Sequence, residues 1–151
     1  MAQQWKILFL CTGNSCRSQM AEGWARHLKG DVITAYSAGV EPHGLNANAV
    51  KVMAEAGVDI SGYKSKNVSV FMDVPFDAVI TVCGHAHETC PAWLGKKTRI
   101  VHVGFDDPPQ LAKMAKTPEE ALVHYRRVRD EIRAFVTTLP ESLAVTTEAK
   151  P

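Results

Sequence analysis

The segment at residues 11–18, Cys-Thr-Gly-Asn-Ser-Cys-Arg-Ser, combines a cysteine with surroundings that would make it a nucleophile. It lies between an apolar run at residues 5–10 and a helical pattern that starts at Gln19. A loop of small residues between a strand and a helix can bind a tetrahedral oxyanion, because its amides point inward and the helix end carries partial positive charge. These amides and Arg17 would also favour the thiolate form of Cys11, which is the nucleophilic form of cysteine.

The other residues of this segment suit the same chemistry for separate reasons. Arg17 can donate two parallel hydrogen bonds to two oxygens of one anion, and Ser18 could donate to the sulfur of Cys11. Gly13 and Asn14 suit the unusual backbone angles that a wrapped loop requires. The competing interpretation is a simple turn that holds a core cysteine, and the position between a strand and a helix disfavours it. The residues expected to bind the oxyanion are Thr12, Gly13, Asn14, Ser15, Cys16 and Arg17.

Alternating strand and helix patterns must position this loop. The strand patterns lie at residues 5–10, 32–37, 76–83 and 99–105, and the helical patterns at 19–29, 46–57, 68–72 and 117–140. In the first helix Met20, Trp24 and Leu28 form the apolar stripe, and Gln19 and Glu22 fall on the opposite, polar side. Such alternation predicts an α/β fold, a parallel sheet with helices on both faces, in which ligands bind at the carboxyl ends of the strands.

Two further groups of reactive residues end predicted strands. Cys83 closes the third strand, so it meets Cys11 at the same edge of the sheet if the two strands are neighbours. Asp106 and Asp107 follow the fourth strand, and a carboxylic acid there could protonate an oxygen that leaves as Cys11 attacks. Spacing alone does not choose between the two aspartates, and an Asp-Pro pair can also make a plain turn.

The segment from Cys83 to Cys90, Cys-Gly-His-Ala-His-Glu-Thr-Cys, allows three interpretations. A thiol that attacks the sulfur of Cys11 would supply two electrons, and a third thiol could take over the resulting disulfide. Alternatively, the two cysteines and two histidines could bind zinc, but their spacing matches no common structural site, and we expect no metal. The two thiols could also be unreactive core residues.

The motifs resemble those of a known family. Residues 11–18 are similar to the signature loop of the low-molecular-weight tyrosine phosphatase superfamily, and the run on to Trp24 resembles its arsenate reductase branch. Residues 36–39 and 104–108 fall where that branch has similar segments, and the match covers most of residues 5–138. The resemblance implies a single α/β domain at residues 1–139, with a four-stranded parallel sheet in the order 2-1-3-4. Residues 140–151 would then form a flexible tail.

The resemblance also implies roles for particular residues. It assigns Asp107 as the acid, and Cys11, Cys83 and Cys90 as the cysteine triad of the arsenate reductases that depend on thioredoxin. The implied activity is reduction of arsenate in arsenical detoxification, with phosphate and sulfate as mimics and no organic cofactor. A redox-active disulfide would form first between Cys11 and Cys83 and then between Cys83 and Cys90. Cys16 is not a member of this triad and is expected to be a structural residue of the loop.

We expect Glu22, Asn14 and Ser37 to form a second layer of residues that supports the loop from behind. Some reductases of this branch bind potassium there with help from an acidic residue, and the corresponding position in this chain is Lys66. Because an ammonium group disfavours a nearby cation and can substitute for its charge, we expect no potassium dependence.

Two alternatives from the residues stay open. A phosphatase acting on phosphotyrosine could use the same loop, Arg17 and Asp107, although residues 109–111 are Pro-Gln-Leu instead of the aromatic residues typical of such enzymes. A cysteine phosphocarrier or anion sensor could use Cys11, but this leaves Arg17, Asp107, Cys83 and Cys90 without a role.

Composition sets the remaining expectations. The chain has 151 residues, 46% of them apolar and 22% charged, and a formal charge of +1, which favours neither nucleic acid nor an anionic membrane as a partner. It has no apolar run of about 18 residues and no signal-peptide pattern. We therefore expect a cytoplasmic monomer whose four cysteines are not structural disulfides.

Overall fold

The computed structural model describes residues 4–91, 94 and 98–143. Its strands are β1 (Trp5–Cys11), β2 (Ile33–Gly39), β3 (Ala78–Thr81) and β4 (Arg99–His102). The described helices are α1 (Arg17–Lys29), α2 (Ala47–Glu55), α3 (Gly84–Glu88), α4 (Pro108–Ala112), α5 (Pro118–Thr137) and a 3-10 helix at Val68–Phe71. The predicted single α/β domain is confirmed.

The four strands form one parallel sheet in the order β2-β1-β3-β4, as predicted. β1 is the central strand that carries the loop, and its residues Ile7, Leu8, Phe9 and Leu10 are completely buried because helices cover both faces of the sheet. Its last residue, Cys11, is in register with Gly39 at the end of β2. The nucleophile candidate therefore stands at the carboxyl edge of the sheet.

Two predicted strands are longer than the observed ones. β3 ends at Thr81 and β4 at His102, whereas β-branched content favoured strands up to residues 83 and 105. Beyond these ends the chain stays attached through single bonds such as Val82 N to Leu10 O (2.9 Å) and Phe105 N to Val82 O (3.1 Å). Cys83 is consequently the N-cap residue of α3 and not the last residue of a strand.

Two helices start with side chains that cap their first turns. Asn46 accepts a hydrogen bond from Ala49 N and caps α2, and Thr117 accepts from Glu120 N and caps α5. The Glu120 carboxylate accepts from Lys116 N (2.8 Å), one residue earlier than the usual capping-box bond. α5 packs on α1, where the Trp24 indole donates to Arg129 O (3.1 Å). No helix in the described ranges is long and apolar enough to cross a bilayer.

The packed domain extends past the predicted start of the tail at residue 140. Leu143 is only 1% exposed, and its carbonyl accepts a hydrogen bond of 3.0 Å from Arg99 on β4. The absence of a helical period after Pro140 did not reveal this contact, since one apolar side chain is enough to anchor a short segment. The rest of the predicted tail, residues 144–151, lies outside the described residues.

Candidate active site

The backbone of the loop at residues 11–16 is turned so that its carbonyls face outward. Amides of the segment after β2 donate to four of them, with Val40, Glu41, His43 and Asn46 bonding to the carbonyls of Cys11 (3.3 Å), Thr12 (2.8 Å), Gly13 (2.9 Å) and Ser15 (2.9 Å). In a trans peptide the N–H points opposite to the C=O of the preceding residue. The amides that follow these carbonyls therefore point into the loop, which is the geometry of an anion cradle.

Asn14 holds the turn of the loop through both its backbone and its side chain. Its φ of 48° lies in the left-handed region. Its side-chain oxygen accepts from Lys66 N (2.8 Å), while its side-chain nitrogen donates to Ser18 Oγ (2.8 Å). The expectation of an unusual backbone angle is confirmed for Asn14 but wrong for Gly13, which is not among the described residues of positive φ. Gly13 is needed for space instead, because a Cβ there would lie 2.6 Å from Nδ1 of His43.

The sulfur of Cys11 lies inside the cradle and accepts two hydrogen bonds. The amide of Asn14 donates at 3.2 Å, and the hydroxyl of Ser18 lies at 2.8 Å. Because the Asn14 side chain already donates to the Ser18 oxygen, the Ser18 proton is free to point at the sulfur. Both contacts hold the sulfur in place inside the cradle, with its donors on one side and the cavity on the other.

Arg17 and Asp107 stand together at the mouth of the loop. Arg17 donates to Phe105 O (3.0 Å), and its other terminal nitrogen lies 3.6 Å from the Asp107 carboxylate. The Asp107 side chain is 43% exposed and lines the cavity above Cys11, whereas Asp106 turns away and pairs with Arg127 (2.8 Å). The structure therefore brings Asp107, and not Asp106, to the loop.

The loop encloses an open cavity of about 250 Å³. It is lined by Cys11, Thr12, Gly13, Ser15, Cys16, Arg17, His43, Asp107 and Pro109. Sequence reasoning missed His43, and it considered Pro109 only as part of the segment where a phosphatase would carry aromatic residues. No spacing signal could have found His43, because it reaches the loop only through the turn after β2. Asn14 and Ser18 were predicted at the site and lie beneath the cavity, where they support the sulfur of Cys11.

Cys16 lies in the loop but is suited to remain a thiol. Burial raises its pKa far above the ordinary value, and the nearby charge of Cys11 raises it further, while Arg17 acts in the opposite direction. Two neighbouring sulfurs in one loop thus have different surroundings, since Cys11 accepts hydrogen bonds whereas burial favours the neutral thiol of Cys16.

The second predicted thiol lies beside the loop. The Cys83 sulfur is 3.2 Å from the hydroxyl of Thr12, the residue after Cys11, and is only 5% exposed. Cys90 lies beyond the far end of α3, half-buried, and burial raises the pKa of its thiol. All four cysteines are free thiols in this structure.

The two histidines between Cys83 and Cys90 have different partners. His85 pairs with Glu41 (3.3 Å), whereas Nδ1 of His87 lies 3.0 Å from the Thr81 hydroxyl. Among the described residues there is no group of three or more side chains placed to hold a metal ion. The zinc interpretation of this segment therefore has no geometric support within residues 83–90.

A buried polar layer supports the loop from behind. Glu22 accepts from Ser37 (2.6 Å) and pairs with Arg26 (2.8 Å), while Gln19 donates to the carbonyls of Asn14 and Lys64, each at 3.0 Å. The expected layer behind the loop is confirmed for Glu22 and Ser37, and Gln19 joins Glu22 in it from the same side of α1. Both are buried because that side of the helix faces the loop and not the solvent.

Lys66, for which the sequence predicted a role against potassium, stands near this layer. Its amide bonds to the Asn14 side chain, and its ammonium group donates to Lys64 O (2.6 Å). Burial lowers the pKa of Lys66, and the charge of Glu22 opposes that shift. Lys66 thus brings a positive charge into the surroundings of Glu22.

Comparison with known proteins agrees with this geometry. The model of the low molecular weight phosphotyrosine protein phosphatase family matches residues 6–149, and the chain belongs to this family. Within it the chain is similar to arsenate reductases, so the predicted resemblance to that branch is confirmed. The arsenate reductase of Halalkalibacterium halodurans is 52% identical over 136 residues, which are 90% of this chain and 95% of the relative.

The chain is also similar to solved structures that are described as arsenate reductases. A structure described as an arsenate reductase in the phosphate binding state has a TM-score of 0.74 and 33% identity, covering 90% of this chain and 96% of that one. A second, described as an arsenate reductase in the oxidized state, has a TM-score of 0.73 and 31% identity, covering 89% of this chain and 95% of the other.

Proposed function

We propose that this chain is an arsenate reductase that draws its electrons from its own thiols and is reduced again by thioredoxin. The observation that carries this proposal is the position of Cys83, whose sulfur lies 3.2 Å from the Thr12 hydroxyl at the edge of the anion loop. A phosphate-transfer reaction needs one thiol there, whereas arsenate reduction needs a second one within reach of the first. Similarity to proteins named arsenate reductase supports the same choice.

The first step uses the parts of the loop. Arsenate, a tetrahedral oxyanion, binds to the inward amides and to Arg17, and the Cys11 thiolate attacks arsenic. One oxygen of arsenate leaves as water, and Asp107 donates a proton to it from the mouth of the cavity. Arg17 meanwhile stabilises the charge on the remaining oxygens. A bond between Cys11 sulfur and arsenic(V) results.

The next steps transfer two electrons. The Cys83 thiolate attacks the Cys11 sulfur, and the sulfur–arsenic bond breaks with its electron pair moving to arsenic, which leaves as arsenite. The new Cys11–Cys83 disulfide holds the two oxidising equivalents. Cys90 then attacks Cys83, Cys11 departs as a thiolate, and thioredoxin reduces the resulting Cys83–Cys90 disulfide. In sum, arsenate and two thiols give arsenite, water and one disulfide.

The runner-up activity is phosphatase action on a phosphate ester. The loop, Arg17 and Asp107 would serve it equally well, since both reactions begin with attack on a tetrahedral oxyanion. Pro109 lines the cavity at the place where a tyrosine-specific enzyme would need an aromatic residue to pack on its substrate. Weak hydrolysis of p-nitrophenyl phosphate is thus expected and serves as a measure of an intact loop.

The Cys90→Ser variant tests the proposal. With thioredoxin, thioredoxin reductase and NADPH, the unmodified chain is expected to turn over arsenate repeatedly. Cys90→Ser should stop after about one turnover and accumulate the Cys11–Cys83 disulfide, because its third thiol is missing. Cys83→Ser should form no disulfide with Cys11. Both variants should hydrolyse p-nitrophenyl phosphate like the unmodified chain, which shows that the loop is intact. Sustained thioredoxin-driven turnover by Cys90→Ser would overturn the scheme.

A further inference from the structure

A cluster of three side chains joins the segment that carries the second pair of cysteines to the sheet. The buried hydroxyl of Thr81, at the end of β3, lies 3.0 Å from Nδ1 of His87 on α3 and 2.9 Å from Nδ1 of His102 on β4. The two imidazole rings pack against each other with centroids 4.7 Å apart. The proposed reaction described above uses none of these three residues.

The hydrogen-bonding capacity of the hydroxyl makes the cluster specific. A threonine hydroxyl has one proton to donate and lone pairs to accept, and a neutral imidazole has one N–H and one bare nitrogen. Thr81 can therefore donate to one histidine while it accepts from the other, and Val101 O lies 3.5 Å away as a second, longer acceptor. We call Thr81, His87 and His102 the histidine latch.

The histidine latch holds a segment that must change shape for Cys90 to reach Cys83. α3 starts directly after Cys83 and carries the chain away from it at about 1.5 Å per residue. A disulfide, by contrast, requires Cα atoms within about 7 Å of each other. Inside the segment, α3 is held by Ala86 N to Cys83 Sγ (3.4 Å) and by His87 N to Cys83 O (3.2 Å). Unwinding must break these bonds as well as the latch.

We propose that His87 is a positioning residue for the exchange between the two disulfides. With Thr81 and His102 it keeps α3 folded while Cys83 reacts with Cys11, and its release lets Cys90 approach Cys83. The proposal rests on the proposed reductase function. In the exchange, the Cys90 thiolate, whose proton has gone to solvent, bonds to the Cys83 sulfur. The Cys11–Cys83 bond breaks, and Cys11 leaves with the electron pair as a thiolate.

The surroundings of Cys90 agree with this order of events. Burial raises the pKa of Cys90, so the folded segment disfavours the thiolate form, which is the better nucleophile. Opening of α3 exposes the Cys90 thiol to water and so removes the effect of burial on its pKa. The latch would thus slow the reaction of Cys90 for as long as α3 stays folded.

The test uses the reduced, full-length chain without arsenate, so that it is separate from the test of the proposed function. Alkylation of each cysteine by iodoacetamide is followed by peptide mass spectrometry, with amide hydrogen exchange of residues 84–90 as a second measurement. His87→Ala is expected to accelerate alkylation of Cys90 about two- to tenfold, the effect of losing one hydrogen bond, and to leave Cys11 unchanged. Alanine favours helix more than histidine does, so loss of helix propensity would not explain this result.

Two further variants separate the latch from a local effect on α3. His102→Ala removes the latch from β4 and should accelerate Cys90 alkylation to a similar extent. Glu88→Ala, at the neighbouring exposed position of α3, should leave it unchanged. In arsenate single turnovers, His87→Ala should also convert Cys11–Cys83 into Cys83–Cys90 faster. Unchanged Cys90 alkylation in both histidine variants, or an equal acceleration in Glu88→Ala, would overturn the proposal.

Discussion

At the scale of the residue, neighbouring side chains of the same type are given different surroundings. Cys11 accepts two hydrogen bonds, whereas Cys16, five positions later, is buried, and its burial raises the pKa of its thiol. Asp107 faces the cavity and Arg17, whereas Asp106 points out to Arg127. In both pairs, only one member has the surroundings that the proposed chemistry needs.

The aspartate pair gives a residue-level prediction. Asp107→Asn should lower the rate of arsenate reduction about 10²- to 10⁴-fold, because the variant loses the proton donor for the leaving oxygen. Phosphate binding should not weaken, since the change removes a negative charge from the mouth of the cavity. Steady-state kinetics and calorimetric titration with phosphate measure the two effects.

Asp106→Asn is the matched control for that substitution. It removes an exposed ion pair with Arg127, and such pairs contribute little, so its rate should stay within about twofold of the unmodified chain. The assignment of the acid would be wrong if Asp106→Asn were the slow variant and Asp107→Asn the normal one.

At the scale of the element, the end of β2 and the segment after it fix the backbone conformation of the loop after β1. Amides within residues 40–46 donate hydrogen bonds to four outward-facing carbonyls of the loop, and Gly39 lies directly against the backbone of the loop. A Cβ on Gly39 would come within 2.7 Å of Thr12 O and 2.8 Å of Asn14 N. These are backbone atoms, so they have little freedom to move aside.

We therefore expect Gly39→Ala to damage the loop from outside. The variant should lose about 1–3 kcal/mol of unfolding free energy through overpacking, and its phosphate affinity should fall tenfold or more. Gly62→Ala is the control, because nothing lies within 4 Å of the Cβ it would add. Its stability should stay within about 0.5 kcal/mol of the unmodified chain. Urea unfolding measures the change in stability, and phosphate titration measures the change in affinity. Normal phosphate affinity in Gly39→Ala would contradict the proposal that β2 fixes the conformation of the loop.

The elements also show which parts of the fold can be predicted from sequence. The apolar run before Cys11 and the helical period of α5 predicted buried elements, because periodicity reports burial directly. The predicted ends of β3 and β4 were wrong, since the β-branched residues continue past Thr81 and His102, the last residues that pair with a neighbouring strand. The predicted reason for a glycine at position 13, an unusual backbone angle, was also wrong. The structure shows a close contact with His43 instead, and only the tertiary structure brings that side chain there.

At the scale of the whole molecule, the site is assembled from segments far apart in the chain. The topology of a parallel sheet brings the ends of β1, β3 and β4 to one edge, which is why Cys11, Cys83 and the aspartate pair could be predicted together, although only the family resemblance chose Asp107. Gln19 and His43 escaped prediction, because a polar residue on a helix or in a turn carries no sign of the partner it will meet. Chemistry-bearing residues at strand ends are thus easier to predict than the residues that support them.

The most direct test of the account is to count thiols and arsenite in one turnover without an external reductant. The reduced chain is mixed with excess arsenate, and arsenite, free thiols and disulfide-linked peptides are measured. We expect about one arsenite per chain, the loss of two of the four thiols, and a disulfide that maps to Cys83–Cys90. Hydrolysis of p-nitrophenyl phosphate with all thiols retained and no arsenite formed would contradict the reductase and leave the phosphatase.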